Sequence, residues 1–142
     1  MLGRTNITAL AEGGIVTEVE DFKWIHVPSG VYGNFVKAVC QDGRLVAITA
    51  DGSVAHTADG EVWEVSGTGF VDCRLKDIEW DGARFLLVGS CTEDGKKAGL
   101  VLSTKDFVGY ERVHIENCDD TEQDYDEEYC GAYFANGRYC IV

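Results

Sequence analysis

The chain has 142 residues, 45% of them hydrophobic, with 17 glycines, one proline and a formal net charge of −13. That length suits one domain or part of one, and the acidity is the reverse of the basic footprint that nucleic acids and anionic membranes select, which excludes direct binding to either. No apolar stretch reaches the roughly 18 residues of a membrane span. The start, Met1-Leu-Gly-Arg-Thr-Asn-Ile-Thr8, has neither the apolar core nor the cleavage site of a secretory signal, so the expected location is the cytoplasm, or a virion or cell-surface assembly reached without a signal peptide.

No window holds a helical period. The apolar runs are short, rich in Val, Ile, Tyr and Phe, and closed by Gly and Asp, which predicts an all-β chain. After a polar arm at residues 1–13, Ile15–Thr17 and Lys23–Val27 form a predicted strand pair around Glu20-Asp21, followed by a loop at 28–34. A hairpin is expected over 35–49 around Asp42-Gly43, and a second over 53–66, turning at Asp59-Gly60 and running up to Trp63. Residues 67–73 read as a loop, 74–88 as a hairpin around Asp81-Gly82, 89–98 as a loop, and 99–114 as another strand pair. An acidic loop at 116–128 leads to a last hairpin at 129–142 around Asn136-Gly137. Asp-Gly and Asn-Gly supply the positive φ values that two-residue hairpin turns need.

These elements repeat. Val54 to Trp63, Ile15 to Trp24 and Val101 to Tyr110 each span nine positions. Trp24 precedes Asp42 by 18 and Trp63 precedes Asp81 by 18, while Tyr110 precedes Asn136 by 26, the same spacing plus an insertion. Four strands per unit of this length match a β-propeller blade of about 40–45 residues. With strands a to d named from the channel outward, the chain reads c-d, a-b-c-d, a-b-c-d, a-b. The expected fold is therefore a β-propeller of four-stranded antiparallel blades: two whole ones (35–66 and 74–114) and one split between outer strands 14–27 and inner strands 129–142. Three blades close a ring poorly, and propellers usually have about four to eight. Either the chain is a fragment of a longer propeller, or a homodimer pairing 14–27 of one copy with 129–142 of the other reaches six blades.

At Thr57-Ala-Asp-Gly-Glu-Val-Trp63 the chain resembles the Asp-box, or BNR, repeat of sialidase-like propellers, whose pattern is Ser/Thr-x-Asp-x-Gly-x-Thr-Trp. Thr57, Asp59 and Trp63 match in type, although Gly60 follows Asp59 directly and Trp63 comes one residue early. Thr104, Asp106 and Tyr110 form a weaker copy, and Glu18, Glu20 and Trp24 keep the spacing and the tryptophan. The Asp-Gly-x-x-Trp form, with Trp-Asp-Gly-Ala-Arg-Phe-Leu-Leu-Val-Gly at 80–89, looks like repeats of bacterial and prophage-encoded propellers, some in phage tail regions. In that family the Asp-box is a structural device, so the resemblance implies structural roles for Trp24, Thr57, Asp59, Trp63, Asp106 and Tyr110. An Asp at a turn can accept nearby backbone N–H bonds, and the aromatic is expected to pack between blades.

Chemistry-bearing motifs are sparse. No phosphate loop, nucleophile elbow or His-Glu-x-x-His occurs. Arg44, Arg84 and Arg138 follow hairpin turns at equivalent positions and read as repeat features that salt-bridge or cover an apolar edge. His26, His56 and His114 read as structural, with no fixed partner. The acidic loop lacks EF-hand spacing and its central glycine, and reads as solvated rather than as a calcium site. The six cysteines show no zinc spacing; Cys40, Cys130 and Cys140 fall on strands, where a free thiol acts as a small hydrophobe, Cys73, Cys91 and Cys118 near or in loops, and all are expected reduced. No catalytic residue, metal or cofactor is assigned.

Strand direction places the b–c and d–a connections on one face, and both long insertions, 89–98 and 116–128, fall there. Insertions gathered on one face of a repeat protein mark a binding face. The candidate binding residues are Tyr32, Asn34, Asp51, Glu93, Asp94, Lys96, Lys97, Asp119, Asp120, Asp124 and Tyr125. The expected function is a non-catalytic binding or scaffold module for a protein or glycan partner, associated with a phage tail or bacterial surface; the alternative is a fragment of a sialidase-like glycan hydrolase lacking its catalytic blades.

Overall fold

The computed structural model describes residues 33–115 and 128–142. The expected strand pair at 14–27 and most of the acidic loop lie outside them, with Trp24, Tyr32, Asp119, Asp120, Asp124 and Tyr125. The described chain is all-β: three antiparallel sheets of four, four and two strands, none closed upon itself. The first sheet contains β1 (Phe35–Gln41), β2 (Arg44–Thr49), β3 (Ser53–Thr57) and β4 (Glu64–Gly67) in that order. The second contains β5 (Arg74–Trp80), β6 (Phe85–Glu93), β7 (Lys96–Thr104) and β8 (Glu111–Arg112), and the third β9 (Ala132–Ala135) and β10 (Arg138–Ile141). No helix among the described residues is long and apolar enough to cross a membrane.

Turn chemistry places most strand ends. Asp42 and Gly43 have φ of 53° and 68°, and Asn136 and Gly137 have 52° and 72°, the double positive φ of a two-residue hairpin. Asp81-Gly82 does its work differently. Only Gly82 is left-handed, and the Asp81 carboxylate accepts the Ala83 and Arg84 amides at 2.8 Å each, holding a wider turn. Residues 89–98 are not a loop: β6 and β7 continue as one hairpin to a tight turn at Asp94-Gly95, with φ of 50° and 78°. The polar run Ser-Cys-Thr-Glu hides the strand, since its register keeps Cys91 inward and lets Thr92 and Glu93 reach the surface. Trp63 and Tyr110 also precede β4 and β8 instead of closing them, because the turns held by Asp59 and Asp106 use the residues up to the aromatic.

Side chains alternate between sheet faces, and that alternation stacks the sheets. Val46, Ile48 and Val54 of the first sheet meet Ile78, Phe85 and Leu87 of the second in one buried cluster. The opposite face of the second sheet, with Leu86, Val88 and Val101, meets Ala132, Tyr139 and Ile141 of the third. β1 and β2 lie against β5, and β9 against β5 and β6. Buried Asp77 on β5 joins all three sheets: Lys37 of β1 pairs with it at 2.5 Å, and it accepts the Ala132 amide of β9 at 3.0 Å. A side chain on Gly99 would collide with the Tyr129 ring, its Cβ falling 2.6 Å from Cε2, so that glycine is what lets the third sheet's leading segment approach β7.

The cysteines invert the expected pattern. Strand residues Cys40 and Cys140, and Cys130 just before β9, are exposed, whereas Cys73 and Cys91 are buried in the core between the first two sheets. A strand has two faces, and the outward ones carry the first group. Burial pushes both core thiols up, partly opposed by a hydrogen bond with Thr68 at Cys73 and by the charge of Arg112 at Cys91. All five described cysteines are free.

Candidate functional site

The antiparallel order sends the connections to two ends. At one end lie the β1–β2, β3–β4, β5–β6, β7–β8 and β9–β10 turns, and their acidic groups are largely occupied by their own backbone. Asp59 accepts the Glu61 and Val62 amides at 2.8 and 2.9 Å and the Thr57 hydroxyl at 2.9 Å. Asp106 accepts the Val108 and Gly109 amides at 2.9 and 3.2 Å, while the Thr104 hydroxyl accepts the Phe107 amide at 3.0 Å. These bonds hold both carboxyls below the usual range, as expected where N–H donors favour the charged form. The two copies thus share one device, a hydroxyl and a carboxylate two residues apart that hold the turn. Trp63 is half-buried, with its Nε1 shielded from solvent.

A cleft of about 300 Å³ at this end is bordered by Arg44, His56, Asp59, Glu64 and Asp106, and one of about 400 Å³ by Arg84, Lys105, Asp106, Tyr110 and Glu111. His56 has partners after all: its ring stacks on Phe107 at 4.7 Å, and Nε2 lies 3.9 Å from Glu64. Burial lowers its pKa, Glu64 opposes and Arg44 adds to the lowering, so the imidazole favours its neutral form. Tyr110 donates to or accepts from Ser66 at 2.8 Å and Arg84 pairs with Asp81 at 3.2 Å. These clefts are therefore walled largely by groups that hold the fold.

The opposite end carries the β2–β3 turn, the β4–β5 connection and the tip of the β6–β7 hairpin. The Asn34 carbonyl accepts the Ala50 amide at 3.0 Å, which seats Asn34 beside the turn holding Asp51. Asp51 is held by the Thr49 hydroxyl and the Ser53 amide; the Thr49 bond is the main reason its pKa is lowered, against a small opposing effect of burial. The turn packs on Cys73 so closely that a Cβ on Gly52 would stand 2.9 Å from the Cys73 Cβ. The Val71 carbonyl accepts the Thr92 amide at 3.0 Å, tying the connection to the hairpin. Asn34, Asp51 and the residues beside Glu93 thus form one continuous strip.

Within the strip is an open cleft of about 310 Å³ lined by Asp51, Phe70, Asp72, Cys73 and Arg74. Three of these, Phe70, Asp72 and Arg74, are absent from the sequence-based candidates, because residues 67–73 and the first residue of β5 carry no motif. The available signal was Asp72 and Arg74 flanking a cysteine beside an aromatic. Asp72 and Arg74 are exposed, and their side chains form no ion pair among the described residues. At the hairpin tip Glu93 pairs with Arg112, and Lys97 with Glu128 at 2.7 Å. Lys76 joins Glu128 at 3.2 Å, and the Lys97 bond first, then Lys76, lowers the Glu128 pKa against burial. Asp94 is exposed on the turn, as is Lys96.

The described arginines do not converge. Arg74 stands at the strip, Arg44, Arg84 and Arg138 follow turns at the other end, and Arg112 is taken by Glu93 and by the Gly99 carbonyl at 3.1 Å. No group of three or more His, Cys, Asp or Glu able to hold a metal occurs among the described residues. No known protein family, curated protein or solved structure matches this chain.

Proposed function

We propose that the protein is a non-catalytic binding module of β-propeller type, which meets a protein or glycan partner at the end carrying Asn34, Asp51, Phe70, Asp72, Arg74 and the Glu93–Lys97 hairpin tip. The observation that carries this reading is the contrast between the two ends. Asp59 and Asp106 of the turn end are occupied by their own backbone amides, whereas the opposite cleft is lined by Phe70 together with Asp72 and Arg74, which form no ion pair among the described residues. An aromatic flanked by polar groups of both signs suits a polar chain with an apolar edge, the surface of a sugar ring or of a short peptide. The propeller assignment is supported by the repeat, by two four-stranded sheets in simple up-and-down order and by the shared Thr–Asp turns. Association with a phage tail or bacterial surface rests on the Asp-box resemblance.

The test is binding of the full chain to arrayed glycans (sialylated, uronic-acid-bearing and neutral) and to an arrayed peptide library. One class should bind, and Asp72→Ala with Arg74→Ala should weaken it at least tenfold while Arg138→Ala leaves it unchanged. Equal binding by the double variant would refute the site. Turnover of a fluorogenic sialoside by the same preparation would refute the non-catalytic reading.

A further inference from the structure

The two buried cysteines face each other across a strand pair. β5 and β6 pair Leu75 with Gly89 and Arg74 with Ser90, and one step further the same register sets Cys73 opposite Cys91. The pairing resumes beyond them, where the Val71 carbonyl accepts the Thr92 amide at 3.0 Å. Cys73 and Cys91 are thus bracketed by paired neighbours on both sides. Both belong to the cluster between the first and second sheets, with Leu75 and Leu87, so both side chains turn to the same face. Burial pushes the Cys91 thiol up, the Arg112 charge opposes it, and the Cys73 sulfur adds to the rise, which requires the two sulfurs to be near one another. Directly opposed residues of an antiparallel pair stand about 4.5–5.5 Å apart at Cα, and a disulfide spans about 4.4–6.8 Å. The strands therefore hold the separation that an S–S bond needs.

The two sulfurs differ in access. Cys73 lines the open cleft of about 310 Å³, together with Phe70, Asp72 and Arg74, whereas Cys91 is not part of its wall and lies on a central strand. The Thr68 hydroxyl hydrogen-bonds with the Cys73 thiol, and a Cβ on Gly52 of the β2–β3 turn would stand 3.0 Å from the Cys73 Sγ. So crowded a seat suits an oxidant of two heavy atoms better than a bulky disulfide.

We propose that Cys73 and Cys91 are a redox pair, oxidised by hydrogen peroxide to a cross-strand disulfide that staples the β4–β5 connection to β6. The Cys73 thiolate attacks one peroxide oxygen, the O–O bond breaks, and the departing hydroxide takes up the thiol proton as water, leaving a sulfenic acid. The Cys91 sulfur then attacks that sulfur. The S–S bond forms, and the sulfenic hydroxyl leaves with the Cys91 proton as a second water. Two thiols and one peroxide become one disulfide and two waters, sulfur losing the two electrons that peroxide gains. Burial keeps the Cys73 thiol largely protonated, and the thiolate is the nucleophile, so the pair answers sustained exposure to peroxide and not brief pulses. The stapled segment carries Phe70 and Asp72, so oxidation fixes one wall of the cleft. The pairing itself rests on strand register and does not depend on what the cleft binds.

The test treats the folded full chain with hydrogen peroxide, blocks the remaining thiols and maps linked peptides by mass. The 73–91 linkage should be the main disulfide, should disappear with dithiothreitol, and should give way to a mixture of pairings when the chain is oxidised in urea. Exchange of the Thr92 amide should slow at least tenfold in the oxidised chain and recover on reduction. Cys91→Ala should strand Cys73 as a sulfenic acid that dimedone labels; the peptide map of the natural sequence decides the matter even where that variant does not fold. Linkage of Cys73 or Cys91 to other cysteines overturns the inference. So does survival of both thiols while the exposed Cys40, Cys130 and Cys140 are oxidised, or a 73–91 linkage no more abundant in the folded chain than in urea. A disulfide that leaves Thr92 exchange unchanged overturns the staple. Glycan or peptide binding tests the cleft separately, so failure of one leaves the other standing.

Discussion

The first and second sheets are two copies of one sequence unit, yet they are stabilised differently. In the second, β6 and β7 are nine residues each and pair over their whole length; in the first, β2 and β3 are six and five. The second sheet is buried on both faces because it has a described neighbour on each, through Phe85 and Leu87 on one side and Leu86 and Val88 on the other. The first carries small residues, Ala47 and Ala55, where the second carries Leu87 and Leu102. A repeat preserves turn chemistry and strand order, while the neighbours of each copy decide how much side chain it can bury.

The largest expected effect tests that difference with one chemical change. Leu87→Ala, at 0% exposure, should cost about 3–5 kcal/mol, and Leu45→Ala, at a half-buried position of the equivalent strand, about 1–2 kcal/mol. Urea midpoints at constant slope measure both, and equal losses would show that double burial does not distinguish the sheets.

Tyr139→Phe removes the 2.5 Å hydrogen bond that ties the third sheet to Asp81 of the second. Bonds to charged groups are worth about 1.5–3 kcal/mol, and the loss should appear as a lowered melting temperature together with an upward move of the Asp81 pKa in a carboxyl NMR titration. A stable variant with an unmoved Asp81 would mean that packing alone joins these sheets.

Acid sharpens the same junction. Burial by itself would raise the Asp81 carboxyl, but hydrogen bonds from Tyr139, from the Ala83 and Arg84 amides and from the Arg84 guanidinium prevail and hold it at about 2, below its ordinary 3.8. A carboxyl depressed on folding contributes stability that is complete above the unfolded value and disappears as pH falls through the folded one. Asp81→Asn should therefore flatten the fall in melting temperature between about pH 4 and about pH 2. A slope identical to that of the natural chain would assign acid lability to other carboxylates, of which Asp51 and Glu128 are also lowered.

The smallest effect belongs to Glu128, where two half-exposed lysines meet one carboxylate. Glu128→Gln should cost at most about 1 kcal/mol, and the loss should shrink as salt is raised. Insensitivity to salt would mean that the bond to Lys97 acts through geometry and not through charge.

Much of this architecture is readable in the chain. Asp42-Gly43 and Asn136-Gly137 identify two hairpins because positive φ is a local demand that few residues meet. The Thr57–Asp59 and Thr104–Asp106 pairs are legible for a similar reason, since both partners lie within one turn. Residues 89–98 read as a loop because the polar ends of two central strands look like one until their pairing is known, although Asp94-Gly95 carries the same turn signal as the others. Of the candidate binding strip, Asn34, Asp51 and the hairpin tip could be named from strand direction. Phe70, Asp72 and Arg74 could not, because a connection without a motif acquires meaning only from what stands beside it.

By itself, the sequence determined the all-β class, the turn positions and the order of the strands, each a consequence of interactions among residues a few positions apart. Only the tertiary structure decided which face of each strand is buried. Strand alternation supplies two faces with nothing local to choose between them, so Cys91 of β6 entered the core while Cys40 and Cys140 faced outward. The junctions at Asp77 and Tyr139 were decided in the same way: their partners lie 40 to 58 positions away in the chain, and no local pattern specifies a contact that exists only after the sheets have stacked.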